Sequence, residues 1–143
     1  MAKAIIVCAT RKGETQKIAD LIAEGIRMSG IETKVVNVND IKSENDLAGY
    51  DAYVFGSATY HVDMMQPMKT FLFMAEKAGL EKKVGGSFGA FGWSGEAPGR
   101  IYDTMKNIFQ MNMVSGPLML KSSSLGGGMQ MAQTYGKDIA AKL

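Results

Sequence analysis

The chain has 143 residues, of which 46% are hydrophobic and 21% charged, and its formal net charge is +2. A chain of this length and composition buries its own apolar core, so we expect one domain over residues 1–143. The weak charge and scattered basic residues argue against a nucleic-acid partner, and no apolar run approaches the ~20 residues that span a membrane. The single cysteine, Cys8, cannot form an internal disulfide, and we expect a cytoplasmic location.

Predicted strands and helices alternate strictly along the chain. Five apolar or β-branched runs predict strands, at residues 4–9, 33–38, 53–55, 84–91 and 114–121. Apolar residues at helical spacing predict four helices, around residues 18–26, 68–75, 101–109 and 130–143. Segment 39–49 is polar and irregular, with room for one helical turn. Such alternation requires right-handed crossovers, so we predict an α/β fold whose doubly wound parallel sheet has helices on both faces.

The loop after the first predicted strand has the features of a phosphate site. It consists of Thr10, Arg11, Lys12, Gly13, Glu14 and Thr15. The first backbone N–H groups of a helix lack intrahelical partners, and the helix dipole adds positive charge there. Thr10 and Thr15 offer hydroxyl donors, while Gly13 lets the backbone approach a ligand closely. The loop matches neither a Walker A motif nor Gly-x-Gly-x-x-Gly. The alternative is an ordinary strand-to-helix turn with a threonine cap.

Two further loops follow the third and fourth predicted strands. The first contains Ser57, Ala58, Thr59, Tyr60 and His61, and the second contains Phe91, Gly92, Trp93, Ser94 and Gly95. With the strand order 2-1-3-4-5, both would meet the phosphate loop at the carboxyl edge of the sheet, where the strand order reverses and ligands bind. A phosphate site beside two aromatic residues, Tyr60 and Trp93, suits a flat, phosphorylated aromatic ligand. FMN is the leading candidate.

These three loops resemble the flavin-binding loops of the flavodoxin family. The resemblance extends over essentially the whole chain, and segment 88–97 is most similar to the third loop in the flavodoxin domain of A-type flavodiiron proteins. It implies a flavodoxin-like fold with five parallel strands in the order 2-1-3-4-5 and FMN as the cofactor. It also implies a low-potential electron carrier, not an enzyme, that shuttles electrons between redox partner proteins through the quinone, semiquinone and hydroquinone states.

The resemblance also assigns a role to each loop. Two threonine hydroxyls, of Thr10 and Thr15, and the backbone amides of residues 11–15 would bind the FMN phosphate. Small residues of the second loop would line the ribityl chain and one edge of the ring system, namely Ser57, Ala58 and Thr59. Two aromatic residues, Tyr60 and Trp93, would stack on the ring faces. Backbone N–H groups of the third loop would reach the pyrimidine edge, from Gly92, Ser94 and Gly95.

Two features depart from the usual family pattern. Flavodoxins are usually strongly acidic, whereas this chain is slightly basic and carries Arg11 and Lys12 in the phosphate loop itself. Such charges would raise the potential of a nearby flavin and imply a partner surface with a different charge pattern. The second feature is His61, the only histidine. Beside a flavin it would titrate near neutral pH and modulate the potential, and the alternative is a solvent-exposed loop position.

Two other functions stay open at this point. The same fold serves NAD(P)H-dependent FMN reductases that act on quinones or small molecules, although this short chain offers no obvious nicotinamide site. A flavin-free interaction module is the second alternative, and such a module would fail to bind FMN. Redox behaviour and flavin binding therefore distinguish the three functions.

Overall fold

The computed structural model describes residues 2–9, 13–60, 63–90, 96–120 and 127–143, with the backbone alone at residues 59, 60 and 63. In chain order its elements are β1 (Lys3–Ala9), α1 (Glu14–Arg27), β2 (Glu32–Asn37), β3 (Ala52–Ser57), β4 (Thr59–Tyr60), β5 (Asp63–Met64), α2 (Gln66–Ala75), β6 (Val84–Ala90), α3 (Glu96–Asp103), β7 (Asn112–Met113), β8 (Leu118–Leu120) and α4 (Gly128–Ala140). Short 3₁₀ turns lie at Val38–Asp40, Glu44–Leu47 and Glu76–Ala78. Among the described residues, no helix is both long and apolar enough to cross a membrane.

The main sheet is parallel and doubly wound. Its strand order is β2-β1-β3-β6, and β7 and β8 share the fifth position next to β6. This arrangement confirms the predicted order 2-1-3-4-5. The chain moves outward from β1 to β2 and then returns to β3 on the other side of β1, so the order reverses between β1 and β3. The carboxyl ends of these two strands therefore flank the crevice where ligands bind in such sheets.

The fifth position of the sheet differs from the prediction of one strand at 114–121. Val84 pairs with Asn112 and Phe88 pairs with Leu118, so β6 advances by four residues where its neighbour advances by six. The two extra residues lie in a bulge where Ser115 has a positive φ of 53°. The neighbour of β6 is consequently split into β7 and β8, and the predicted end at residue 121 lies outside the described residues.

Two apolar layers cover the two faces of the sheet. Helices α1 and α4 pack on one face, and α2 and α3 pack on the other. The side chains of residues 4–9 are at most 2% exposed, which confirms the predicted buried central strand. Helices α1 and α4 lie unusually close together, because a Cβ at Gly25 would overlap the carbonyl of Gln133 and a Cβ at Gly136 would overlap that of Ile22.

The four predicted helices are present, with shifted boundaries. Helix α3 starts five residues before the predicted segment and ends in a π-helical turn at Thr104–Ile108, where the Phe109 N–H donates to the Thr104 carbonyl at 3.1 Å. Helix α4 begins at Gly128 and ends at Ala140 instead of spanning 130–143. The antiparallel hairpin of β4 and β5 was not predicted, because two-residue strands leave no periodic pattern in the sequence.

Candidate functional site

The N-terminus of α1 forms the first wall of the candidate site. Gly13 precedes the helix in the left-handed conformation, with φ 82°. Thr15 lies in the first turn and is 1% exposed. Its Oγ1 has no hydrogen-bond partner among the residues that the structure describes. A buried hydroxyl without a partner costs about 1–3 kcal/mol, which makes this oxygen a candidate for contact with a ligand group.

The charge distribution of this first turn suits an anion. Glu14 begins α1, and its carboxylate lies 3.9 Å from the ammonium group of Lys17 one turn later. This ion pair partly offsets the negative charge of Glu14 in the first turn. The positive end of the α1 dipole then points at the carboxyl end of β1, and an anion is stabilised in this position.

The second wall is the hairpin at the end of β3. Ser57 is completely buried, and its hydroxyl accepts a hydrogen bond from the Met65 N–H at 3.0 Å while it donates to the Ala58 carbonyl at 2.9 Å. The Ala58 N–H donates to the Ala9 carbonyl at 3.3 Å and so extends the pairing of β1 and β3 by one residue. The Ser57 hydroxyl thus fastens both ends of the hairpin directly beside the end of β1.

The third wall is the start of α3 at the end of β6. The Ser87 hydroxyl donates to the Pro98 carbonyl at 3.0 Å in a buried position. A Cβ at Gly89 would overlap the Ser57 carbonyl and would lie 2.8 Å from Cγ of Pro98. Only glycine fits here, because the backbone of β6 contacts β3 and α3 at the same point. These contacts hold the first turn of α3 at the carboxyl edge of the sheet.

Glu96, the first residue of α3, carries a second unpaired oxygen. Its Oε2 is buried and lacks a hydrogen-bond partner within the described part of the chain. Thr15 follows β1 and Glu96 follows β6, so both oxygens lie at the carboxyl edge of one sheet. Sequence analysis did not single out Glu96. An acidic residue directly after a serine and a glycine in a ligand loop, at the start of a helix, was the available signal.

The structure places some of the predicted site residues, and their contacts with a flavin stay predictions. It brings Gly13, Glu14, Thr15, Ser57 and Ala58 to one edge of the sheet. It describes only the backbone of Thr59 and Tyr60, which pair with Met64 and Asp63. The other predicted site residues lie outside the described residues, namely Thr10, Arg11, Lys12, His61, Phe91, Gly92, Trp93, Ser94 and Gly95. Stacking by Tyr60 and Trp93 therefore stays a prediction.

Cys8 lies near this edge but is not arranged as a nucleophile. Its side chain is fully buried at the end of β1, and the thiol donates to Oε1 of Gln16 at 3.1 Å. Burial, with a smaller contribution from the charge of Asp20, raises the pKa of Cys8 to about 11. The thiol therefore stays protonated at neutral pH, as expected for a core cysteine.

Comparison with known proteins agrees with this fold. A family model described as a flavodoxin domain matches residues 5–115. A flavodoxin from the domain Archaea has a TM-score of 0.92 and 30% identity to this chain, covering 98% of this chain and 97% of that one. The flavodoxin of Clostridium beijerinckii is 27% identical over 139 residues, which are 94% of this chain and 97% of that protein.

Other relatives contain this domain within much longer chains. Diflavin flavoprotein A 6 of Nostoc sp. is 28% identical over 142 residues, which are 96% of this chain but 25% of that protein. The chain therefore spans about a quarter of the length of this diflavin flavoprotein, and 17% of diflavin flavoprotein A 5 from the same organism. The similarity therefore covers a quarter or less of each of these two proteins.

Proposed function

Because the chain belongs to the flavodoxin family, whose proteins bind FMN and function in electron transfer, we propose that it is a low-potential electron carrier. In this proposal it shuttles electrons between redox partner proteins through the three oxidation states of the flavin. The observation that supports it most directly is the buried, unpaired Oγ1 of Thr15 at the N-terminus of α1. A phosphate oxygen placed there would accept its hydrogen bond and would be stabilised by the helix dipole.

In this proposal each described wall of the crevice has a separate role toward FMN. Thr15 and the first turn of α1 would hold the phosphate, and the hairpin after β3 and the first turn of α3 would form the two sides of the crevice. When bound, FMN supplies reversible one-electron and two-electron chemistry. The chain itself then binds, orients and shields the cofactor, and needs no nucleophile or general base.

Rigid walls are the second contribution of this chain. The Ser57 hydroxyl fixes the hairpin through the Met65 N–H, and the Ser87 hydroxyl fixes α3 through the Pro98 carbonyl. Both hydroxyls are fully buried, so water does not compete for these hydrogen bonds. Polar groups held in this way need little rearrangement when the charge on a bound cofactor changes, which favours fast electron transfer.

An anaerobic redox titration tests this proposal against the reductase alternative. The protein is loaded with FMN and titrated with dithionite, and the oxidised form is then mixed with NAD(P)H. An electron carrier should show two resolved one-electron steps in its visible spectrum and no reduction by NAD(P)H. Direct reduction by NAD(P)H in one two-electron step would favour an FMN reductase. A protein that does not take up FMN would contradict both functions and favour an interaction module.

A further inference from the structure

An apolar groove lies between α2 and the π-helical end of α3. We call it the α2–α3 groove, and its volume is about 260 Å³. Two large apolar side chains at its surface, those of Phe73 and Ile108, are 76% and 59% exposed. The other apolar residues that line it are Met64, Leu72 and Phe109. Apolar side chains that lie together in this way gain free energy when a partner removes them from water, so the groove has the character of an interaction site.

The exposure of Ile108 follows from the π-helical turn. Ile101, Met105 and Ile108 have the spacing of one helical face, and the first two are completely buried. In the turn the Phe109 N–H donates five residues back, to the Thr104 carbonyl. This wider turn moves Ile108 off the buried face and into the lining of the groove, while Phe109 stays buried. Turns of this kind are frequent at functional sites.

Two opposite charges line the same groove. Lys69 lies on α2, and Glu76 directly follows the last residue of that helix. Seven residues of helix amount to roughly 10 Å along its axis. The groove thus carries one positive and one negative side chain, and neither sign prevails. A partner with a uniformly charged surface gains little attraction here, whereas a surface with the same two charges in reverse order is complementary.

A second copy of the chain presents that complementary surface. One face of α2 carries Lys69, Leu72, Phe73 and Glu76 at helical spacing. When two copies pack this face together in antiparallel order, a two-fold axis crosses α2 between Leu72 and Phe73. Lys69 of each copy then lies opposite Glu76 of the other, because both residues are equally far from the axis along the helix. Phe73 of each copy likewise meets Leu72 of the other, which lines the groove.

The size of the groove also suits this arrangement. A cavity of about 150 Å³ holds a benzene ring, so the α2–α3 groove has room for a phenyl side chain. Phe73 is the most exposed of the large apolar residues among those that the structure describes. The projecting ring and the groove that accepts it are adjacent on one surface, which is the condition for reciprocal insertion across a two-fold axis.

We propose that the α2–α3 groove is the interface of a homodimer in which Phe73 of each copy inserts into the groove of the other. Lys69 and Glu76 form two symmetric ion pairs that fix the antiparallel register. Phe73 is the anchor of this interface, since a buried aromatic side chain contributes most of the binding energy in such contacts. The inference goes beyond the proposed function and does not depend on it, because the interface needs no bound cofactor.

Sedimentation velocity of the full chain, with and without FMN, measures dimerisation. Wild type should form a dimer at micromolar concentrations. Phe73→Ala should raise the dissociation constant about 100-fold or more, because one substitution removes the anchor from both halves of the interface. The exposed ring is not part of the core, so the melting temperature of the monomer should stay unchanged. Met129→Ala is the control, since it removes an exposed apolar side chain on the opposite face of the sheet. This control should dimerise like wild type.

Charge reversal tests the register of the two helices. In Lys69→Glu two acidic residues face each other in both halves of the interface, and in Glu76→Lys two basic residues do. Each variant alone should dimerise at least about tenfold more weakly than wild type. An equimolar mixture of the two variants should form a heterodimer, because every contact then joins opposite charges. The double variant should dimerise like wild type for the same reason.

A matched pair of variants controls for net charge. Asp138→Lys and Lys142→Glu make the same changes in net charge at exposed positions in and just after α4, on the opposite face of the sheet. Each should dimerise like wild type. Wild-type protein that stays monomeric at about 200 µM would overturn the proposal, as would an unchanged dissociation constant in Phe73→Ala. A mixture of Lys69→Glu and Glu76→Lys that stays monomeric would overturn the antiparallel interface. A chain that does not bind FMN but dimerises as described would contradict the proposed function and support this inference.

Discussion

The hydroxyl of Tyr135 in α4 is hydrogen-bonded to both backbone groups of Ser87 in β6. It accepts from the Ser87 N–H at 2.9 Å and donates to the Ser87 carbonyl at 3.1 Å. Ser87 lies between the residues of β6 that pair with β7 and those that pair with β8. A side chain from a helix thus replaces the strand that is missing at the bulge, and it satisfies backbone groups that would otherwise be buried and unpaired.

Replacing Tyr135 with Phe should therefore destabilise the protein. The ring would still fill its site, but both backbone groups of Ser87 would lose their partner, and we expect a loss of about 1–3 kcal/mol in the free energy of unfolding. Urea denaturation followed by circular dichroism measures this change. Tyr102→Phe is the matched control. The half-buried ring of Tyr102 has its centre 5.8 Å from the ammonium group of Lys106. We expect this substitution to change the free energy of unfolding by no more than about 0.5 kcal/mol. Equal effects of the two substitutions would contradict the role of Tyr135.

The alternation of strands and helices was predictable because each element depends on a local pattern. The apolar run at residues 4–9 and the helical spacing of Ile18, Ile22 and Ile26 specify β1 and α1 without any tertiary information. The glycine-rich strand β6 was also predicted. Glycine disfavours strands, but this strand requires it. At Gly86 a Cβ would lie 2.8 Å from the Tyr135 hydroxyl, so a larger residue does not fit there.

Features that depend on distant contacts were not predictable. The sequence around residue 115 does not show that β6 finds a substitute partner in Tyr135, so one continuous strand was expected where the structure has β7, a bulge and β8. The burial of the Glu96 oxygen was not predictable for a related reason. Whether a carboxyl oxygen is buried without a donor depends on how α3 packs on β6, and this packing is set by Ser87, Gly89 and Pro98 together.

The buried thiol of Cys8 should make stability depend on alkaline pH. Its pKa is about 11 in the folded protein and 9.0 without burial. Between these values the unfolded chain loses a proton that the folded protein keeps, so the free energy of unfolding falls as the pH rises, by up to about 1.4 kcal/mol per pH unit. Below pH 9 this contribution is fully present. Urea denaturation of wild type and Cys8→Ala across this range measures it, and the variant should show a shallower decline. Parallel pH profiles would show that Cys8 does not contribute.

The junction of β3, β6 and α3 should not tolerate a methyl group at Gly89. An added Cβ would overlap the Ser57 carbonyl and press on Pro98, so Gly89→Ala should lower the free energy of unfolding by about 1–3 kcal/mol and weaken FMN binding. Gly99→Ala is the control within α3, because a Cβ there would meet no atom within 4 Å. Alanine should be neutral or stabilising by about 0.5–1 kcal/mol at that helical position. Similar stabilities for the two variants would show that β6 and α3 are less closely packed than described.

Thr15 should discriminate between phosphorylated and unphosphorylated flavins. Thr15→Val keeps the shape of the side chain and removes the unpaired hydroxyl, so FMN affinity should fall about tenfold while riboflavin affinity stays unchanged. The apoprotein of this variant should be as stable as wild type or more stable, because a buried oxygen without a partner is removed. Fluorescence titrations with the two flavins, together with thermal melts of the apoprotein, measure both effects.

Thr15→Ser should retain most of the FMN affinity, since the hydroxyl remains. An equal loss for FMN and riboflavin would mean that Thr15 supports the shape of the loop and does not contact the phosphate.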